Sequence, residues 1–369
     1  MTDSSLLERT LQDNLTWNKA RIKFLAAFLI ALTQTRNVNL MRVAAKFGGR
    51  AASDSSYKRI QRFLRFFDLP FAELADLLIK LMKLTPPYVI VIDRTEWKFG
   101  SKWHNILTLA IASEEVAIPI LWRFLEKKGC SDDEERKQII EDYLKLFPLA
   151  SIGYVCADRE FASLKWLEFL TAEKIPYRLR IKANHELTDK RGKAMKARKL
   201  LQTARVGEAV ICRRWRKLWG KYQVCVSGRR RADGELLILI SNEPSPQMLA
   251  EYARRWQIET LFGCLKRARI RIGRNAFEGF GAIEKAAWIV GNRSLLVVAL
   301  RQANLSAKAN QNQETSAASQ INFPSRTGRF GTGFQQLRSE RAKERKQYVY
   351  LTFVLYLATT IKSAFLRAR

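Results

Sequence analysis

Histidine is nearly absent from this sequence: His104 and His185 are the two in 369 residues. That excludes a standard zinc site and argues against a catalytic triad built on imidazole. The five cysteines, Cys130, Cys156, Cys212, Cys225 and Cys264, are scattered without a CxxC pair, as suits a reducing cytosol. Any bound metal must therefore be held by oxygens, which makes magnesium or manganese the expected ion. Long apolar runs are missing too. The most apolar late stretch, Tyr348 to Ile361, is shorter than the ~20 residues a spanning helix needs. Met1-Thr2-Asp3-Ser4-Ser5 lacks the basic start and apolar core of a signal peptide. The expectation is a soluble, cytoplasmic chain with no membrane partner. Acidic residues are the last scarcity, 35 Asp and Glu against 65 Lys and Arg, for a net charge of +30. The partner such an excess implies is a polyanion, since each neutralised phosphate releases a counterion.

What is present divides the chain. Residues 1–85 read as helices, with apolar residues at helical spacing in Ile22-Leu25-Ala26-Leu29-Ile30, Leu40-Val43-Ala44-Phe47 and Ile60-Phe63-Leu64-Phe67. Ser53 and Asp54 offer N-caps for the third of these. A Gly48-Gly49 break before a basic helix (Lys58, Arg59, Arg62, Arg65) fits a helix-turn-helix, and equally a small bundle with a solvated basic face. After Pro86-Pro87, Tyr88 to Ile92 is a continuous apolar, β-branched run that ends on Asp93, the pattern of a buried central strand. Strands follow at 105–112 and 116–124, joined by a turn at Ser113-Glu114-Glu115, and then an amphipathic helix at 132–147. Gly153 to Asp158 repeats the strand-then-aspartate pattern, before a helix at 161–173 and a strand at 177–182. This succession predicts an α/β sheet with crossover helices. Residues 184–243 read as a β-rich insertion, with strands at 209–212, 222–226 and 236–240 and an Ala232-Asp233-Gly234 turn. Ser245-Pro246 opens a long helix to about Lys266.

Chemistry in an open α/β sheet gathers where strands end, so Asp93 and Asp158 are expected to face one another. Glu259, on the inner face of the long helix with Ile258 and Phe262, is the third carboxylate. Three converging oxygen donors suit a pair of hard cations about 3.5–4 Å apart, the arrangement used for in-line phosphoryl displacement.

The helix from Tyr252 to Lys266 fits the pattern Y-x2-R-x3-E-x6-K through Tyr252, Arg255, Glu259 and Lys266. In this it resembles the signature helix of bacterial insertion-sequence DDE transposases. Ile92-Asp93-Arg94-Thr95-Glu96-Trp97 and Ala157-Asp158-Arg159-Glu160-Phe161 are similar to that family's first and second aspartate motifs. The resemblance spans roughly residues 20–266. It implies a ribonuclease H-like mixed sheet with a β-rich insertion, preceded by a helical DNA-binding domain. Asp93, Asp158 and Glu259 would be the catalytic residues and the ligands of two divalent ions, Mg²⁺ or Mn²⁺. Tyr252, Arg255 and Lys266 would contact the phosphates of transposon ends. The partners would be DNA, both ends and target, and a second copy of the chain. Most tryptophans read as core. Trp215 and Trp219, set among Arg213, Arg214, Arg216, Lys217 and Lys221, are the best candidates for DNA contact. Glu96 and Glu160 read as supporting or surface residues.

The implied domains are 1–85 (helical), 86–183 with 244–266 (catalytic), 184–243 (insertion) and 267–369 (an atypical basic tail). The resemblance ends at Lys266. Residues 266–369 hold 19 Lys and Arg, 5 Glu and no Asp. Permitted codons for Asn275 to Trp288 hide a family-like string in another frame, and Ser319 to Phe323 does the same. The tail is thus expected to be out-of-frame translation without packed structure, leaving this chain weakly active or inactive. A nuclease without strand transfer and an inactive DNA-binding remnant are the alternative functions.

Overall fold

The computed structural model describes residues 3–267, apart from 36–39, 48–51, 68–69, 100–101, 114–115 and 126. Its backbone falls into two compact units, of which the first includes residues 1–83 and the second is Leu84–Gly263.

The first unit is helical: α1 (Asp3–Asn14), α2 (Lys19–Thr35), α3 (Leu40–Ala44), α4 (Ser53–Phe66) and α5 (Phe71–Leu81). The apolar stripes named above do the packing. Ile22, Leu25, Ala26 and Leu29 of α2, Val43 of α3 and Ile60 of α4 are buried, and Phe24 lies 4.5 Å from the Phe63 ring. Lys58, Arg59 and Arg62 stay on the exposed face of α4. Ser53 and Asp54 do not cap this helix. Ala52 takes the N-cap position without a side-chain bond, so Ser53 and Asp54 lie inside the first turn, where the Asp54 charge complements the helix dipole. The Gly48-Gly49 break lies outside the described residues. Among the described residues, no helix is long and apolar enough to cross a membrane.

In the second unit β1 (Tyr88–Phe99), β2 (Lys102–Ala112) and β3 (Ala117–Leu125) form an antiparallel meander. α6 (Asp133–Leu146) follows. Its capping box is reciprocal: Asp132 Oδ1 accepts from the Glu135 N–H at 2.9 Å, and Glu135 Oε2 from the Asp132 N–H at 2.8 Å. β4 (Ile152–Ala157) pairs in parallel with β1, and β5 (Tyr177–Ile181) in parallel with β4. Between them α7 (Leu164–Ala172) starts three residues later than the apolar pattern predicts. Arg159–Phe161 forms a separate 3-10 turn, and Ser163 caps the helix by accepting from the Trp166 N–H at 3.3 Å. The order β3-β2-β1-β4-β5 is that of a ribonuclease H-like mixed sheet. β1 and β4 are covered on both faces: Ile90, Val91, Ile92, Val155, Cys156 and Ala157 are fully buried, which is why both runs lack polar alternation.

The β-rich segment comprises β6 (Glu186–Thr188), β7 (Ala194–Lys196), β8 (Ala209–Leu218), β9 (Tyr222–Arg230) and β10 (Leu236–Ser241). It continues the same sheet, since β10 lies antiparallel to β5 and the order runs on β5-β10-β9-β8-β6-β7. Gly228 sits where this part is tightest. A Cβ there would lie 2.5 Å from the Leu237 carbonyl oxygen and 2.8 Å from Leu201 Cδ2. Gly228→Ala is therefore expected to destabilise the protein by about 1–3 kcal/mol, through a forced backbone shift. Urea denaturation checks this, and an unchanged midpoint contradicts the close approach.

The long helix expected from Ser245 to Lys266 is two helices, α8 (Met248–Ala253) and α9 (Trp256–Arg267). At the junction the amides of Arg254, Arg255, Gln257 and Ile258 each bond to the carbonyl three residues earlier. The adjoining arginines are drawn to different partners: Arg254 Nη2 donates to the Ala112 carbonyl at 3.0 Å, and Arg255 turns to the carboxylates. Arg178 seats α8 on the sheet. It is buried in β5, donating to Glu251 Oε2 at 2.5 Å, Ser241 Oγ at 2.8 Å and its neighbour's carbonyl at 3.0 Å, with its guanidinium over the Tyr154 ring. The tail beyond residue 267, with the expectation that it is out of frame and unpacked, lies outside the described residues.

Candidate active site

Asp93 and Asp158 come from neighbouring parallel strands. Ile92 of β1 pairs with Ala157 of β4, so the next residue along each chain is one of the two aspartates. Asp93 remains within β1, opposite Thr108 of β2, whereas Asp158 opens the 3-10 turn beyond β4. The apolar runs of these two interior strands thus both end on carboxylates.

Arg255 joins Asp93 to Glu259. Its Nη1 donates to Asp93 Oδ2 at 3.1 Å and its Nη2 to Glu259 Oε1 at 2.5 Å. The pair with Glu259 has the i,i+4 spacing of an ordinary surface ion pair, but Arg255 is 4% exposed. Burial opposes its charge, yet the surrounding Tyr252, Asp93, Asp158 and Glu259 outweigh that and hold the guanidinium more firmly protonated than usual. Asp93 shows the reverse balance. Burial pushes its carboxyl up to about 6, against the opposing pull of Arg255 and the Arg94 N–H, which reaches Oδ1 at 2.8 Å. Glu160 and Asp158 add to the upward push.

Asp158 has its own partners. Tyr252, a buried residue, donates its hydroxyl to Asp158 Oδ1 at 3.4 Å, and Arg180 Nη1 of β5 lies 3.6 Å from the same oxygen. Burial raises the Tyr252 phenol, so it is a donor throughout the physiological range. Arg94 binds Glu160 at 3.1 Å and Glu96 at 2.9 Å, and so ties β1 beyond Asp93 to the 3-10 turn that follows Asp158.

The structure thus brings five of the six residues named from the sequence into one constellation, and Lys266 contributes no described side chain. Tyr252 and Arg255 are buried, with their polar ends on the carboxylates. Trp215 and Trp219 are half-buried, Trp219 with its ring 5.1 Å from that of His185. Trp256 is exposed beside Arg255. Arg178 and Arg180 were not singled out in the sequence, although two arginines one residue apart in a five-residue central strand are a signal. They share one face of β5, and charges in such a strand need partners.

The donors fit a hard divalent cation in chemical type. They are carboxylate oxygens, and the half-buried, upward-shifted Asp93 is a group whose ionised form gains from a nearby positive charge. Among the described residues, no three His, Cys, Asp or Glu side chains form a ready cage. Glu259 is linked to Asp93 through a guanidinium.

No curated protein gives a significant match. Among solved structures, a piggyBac transposase in a cryo-EM synaptic complex with hairpin DNA is similar at a TM-score of 0.42 and 14% identity, over 99% of this chain and 78% of that one. A likeness that loose says nothing of this chain's ligands. The sequence profile described as "Transposase DDE domain" matches residues 84–296. That span takes in β1 through α9 and also residues 268–296, past the point where the motif resemblance ends. By this match over more than half its length, the chain belongs to the DDE transposase family.

Proposed function

We propose that the protein cuts the ends of an insertion sequence and joins their 3′-hydroxyls to target DNA, using two divalent metal ions. The observation that carries this reading is that Asp93 and Asp158 directly follow the last paired residues of β1 and β4, Ile92 and Ala157, with Glu259 tied to Asp93 through Arg255. Asp93, Asp158 and Glu259 would hold Mg²⁺ or Mn²⁺. When bound, such ions supply the positive charge that activates an attacking oxygen and stabilises a leaving one.

The protein's own groups do the rest. Arg255 keeps two carboxylates in register before DNA arrives, and the Tyr252 hydroxyl orients Asp158. Tyr252, Arg255 and Lys266 would meet the end phosphates, which for Arg255 means exchanging a carboxylate partner for a phosphate oxygen. The helical residues 1–85, with the basic face of α4, would add sequence-independent backbone contacts. A homodimer would hold the two ends together.

A strand-transfer assay with end-bearing DNA tests the reading. Joined products support it, nicking without joining favours a nuclease, and binding without cleavage marks an inactive remnant. Cleavage is expected to run at least as well in Mn²⁺ as in Mg²⁺. In Ca²⁺ the expected result is binding with little cleavage, because looser, longer coordination misplaces the attacking oxygen. Full activity in excess chelator rejects a metal-dependent reaction.

A further inference from the structure

Beside the acid cluster, three arginines, from the 3-10 turn after Asp158, from β5 and from the β9–β10 connection, converge on one carboxylate. Glu235, in the connection between β9 and β10, accepts through Oε1 from Arg180 Nη2 at 2.6 Å and Arg159 Nη1 at 3.1 Å. Through Oε2 it accepts from Arg231 Nη1 at 3.2 Å. Arg180 reaches Asp158 with its other terminal nitrogen at 3.6 Å, and Arg231 Nη2 lies 3.4 Å from Asp233 Oδ2. Among the described residues, the buried Nε of Arg180 finds no hydrogen-bond partner.

These guanidiniums carry far more N–H groups than Glu235 can satisfy, since each presents five. A single carboxylate answering three planar forks supplies two of the acceptor oxygens that a phosphodiester also presents, and guanidinium suits both anions. The network is open to exchange as well. Arg159 is 54% exposed, and Arg231 and Glu235 each 39%, so its ion pairs are of the solvent-screened, weak kind. Arg180 is the fixed member, 11% exposed and rooted in β5. Its reach to both Glu235 and Asp158 puts the cluster immediately beside the proposed catalytic carboxylates.

We propose that Arg159, Arg180 and Arg231 form a seat for a DNA backbone phosphate flanking the bond that is cut, with Glu235 as the internal anion that occupies the seat until a strand displaces it. The inference rests on the transposase reading and adds a strand-positioning site to it. In this arrangement the β9–β10 connection takes part in holding the substrate strand at Asp158.

The test uses the full chain and a fluorescent random-sequence DNA duplex, in chelator so that no cleavage intervenes, with anisotropy read across a series of KCl concentrations. For the double variant Arg159→Gln/Arg231→Gln, weaker binding is expected, with the slope of log K against log salt reduced by about 0.9 for the one phosphate lost. Its thermal melting should match wild type, because both residues are surface-accessible. Glu235→Gln removes the competing anion and is expected to bind DNA more tightly with an undiminished slope. Wild-type affinity and slope in the double variant overturn the seat. So does weaker binding by a normally melting Glu235→Gln protein, which would make Glu235 a strut for the arginines. If the wild-type chain binds no DNA at all, the transposase reading itself falls and takes the seat with it.

Discussion

Replacing Asp93 with asparagine is expected to abolish strand cleavage and, above about pH 6, to make the protein more stable than wild type. The loss of cleavage follows from the proposed role, since an amide brings no negative charge to a cation. The gain in stability follows from burial. The Asp93 carboxyl is raised from 3.8 to about 6 because desolvation outweighs the attraction of Arg255. Between these two values the folded protein keeps a proton that the unfolded chain has released, so stability falls as pH rises through the window. Below about pH 4 the ionised form imposes no penalty, and above about 6 the penalty is complete. It is on the order of 3 kcal/mol, at about 1.4 kcal/mol per unit. Asparagine has no charge to desolvate, so the variant should lack this decline. Urea denaturation of both proteins in chelator between pH 4 and 8 reads the difference, and parallel pH profiles would refute it. Asp158→Ala and Glu259→Ala should likewise lose cleavage while keeping DNA affinity, which is supplied by Lys and Arg. A Glu259→Ala protein that cuts at near-normal rate would remove Glu259 from the catalytic set.

Arg178→Ala is expected to cost about 3–5 kcal/mol of stability, as removing one partner of a buried ionic pair generally does. Arg178 is 5% exposed and ties β5 to Glu251 of α8, Ser241 of β10 and, at 3.5 Å, Glu243. Alanine leaves the half-buried Glu251 carboxylate and the Ser241 hydroxyl short of a partner and removes the stack on Tyr154. The double change Arg178→Met/Glu251→Met, which fills the space without leaving an unpaired charge, should recover much of the loss. Chemical denaturation of the two variants and wild type decides. Equal destabilisation in both would mean that packing, and not the stranded charge, sets the effect. Because α8 carries Tyr252 and leads into Arg255, the alanine variant should also loosen Asp158 and Asp93 from their donors.

Much of this architecture was legible in the residues. Tyr88 to Ile92 and Gly153 to Ala157 had to be buried strands, since their β-branched and apolar side chains occur without alternation and both runs end on aspartate. The parallel pairing of those strands then sets Asp93 beside Asp158. The stripes of α2 and α4 and the four-residue spacing of Arg255 and Glu259 are local patterns that local physics reads directly.

Other features depend on which distant segments meet. The spacing of Arg255 and Glu259 predicts the same ion pair on any exposed helix. Tertiary packing buries Arg255, and β1 adds Asp93 as its second partner. The break between α8 and α9 is equally non-local, because Arg254 and Arg255 find acceptors on the sheet that no helical propensity registers. That the β-rich segment continues the sheet of β1 to β5 was settled by β10 lying along β5, a pairing of strands separated by more than fifty residues of sequence. Through it Glu235 comes within reach of Arg180, and so into the neighbourhood of Asp158. Composition and periodicity fix what each segment prefers by itself. Which charges share a space depends on sheet order, because Asp93 and Glu235 meet Arg255 and Arg180 from segments far away along the chain.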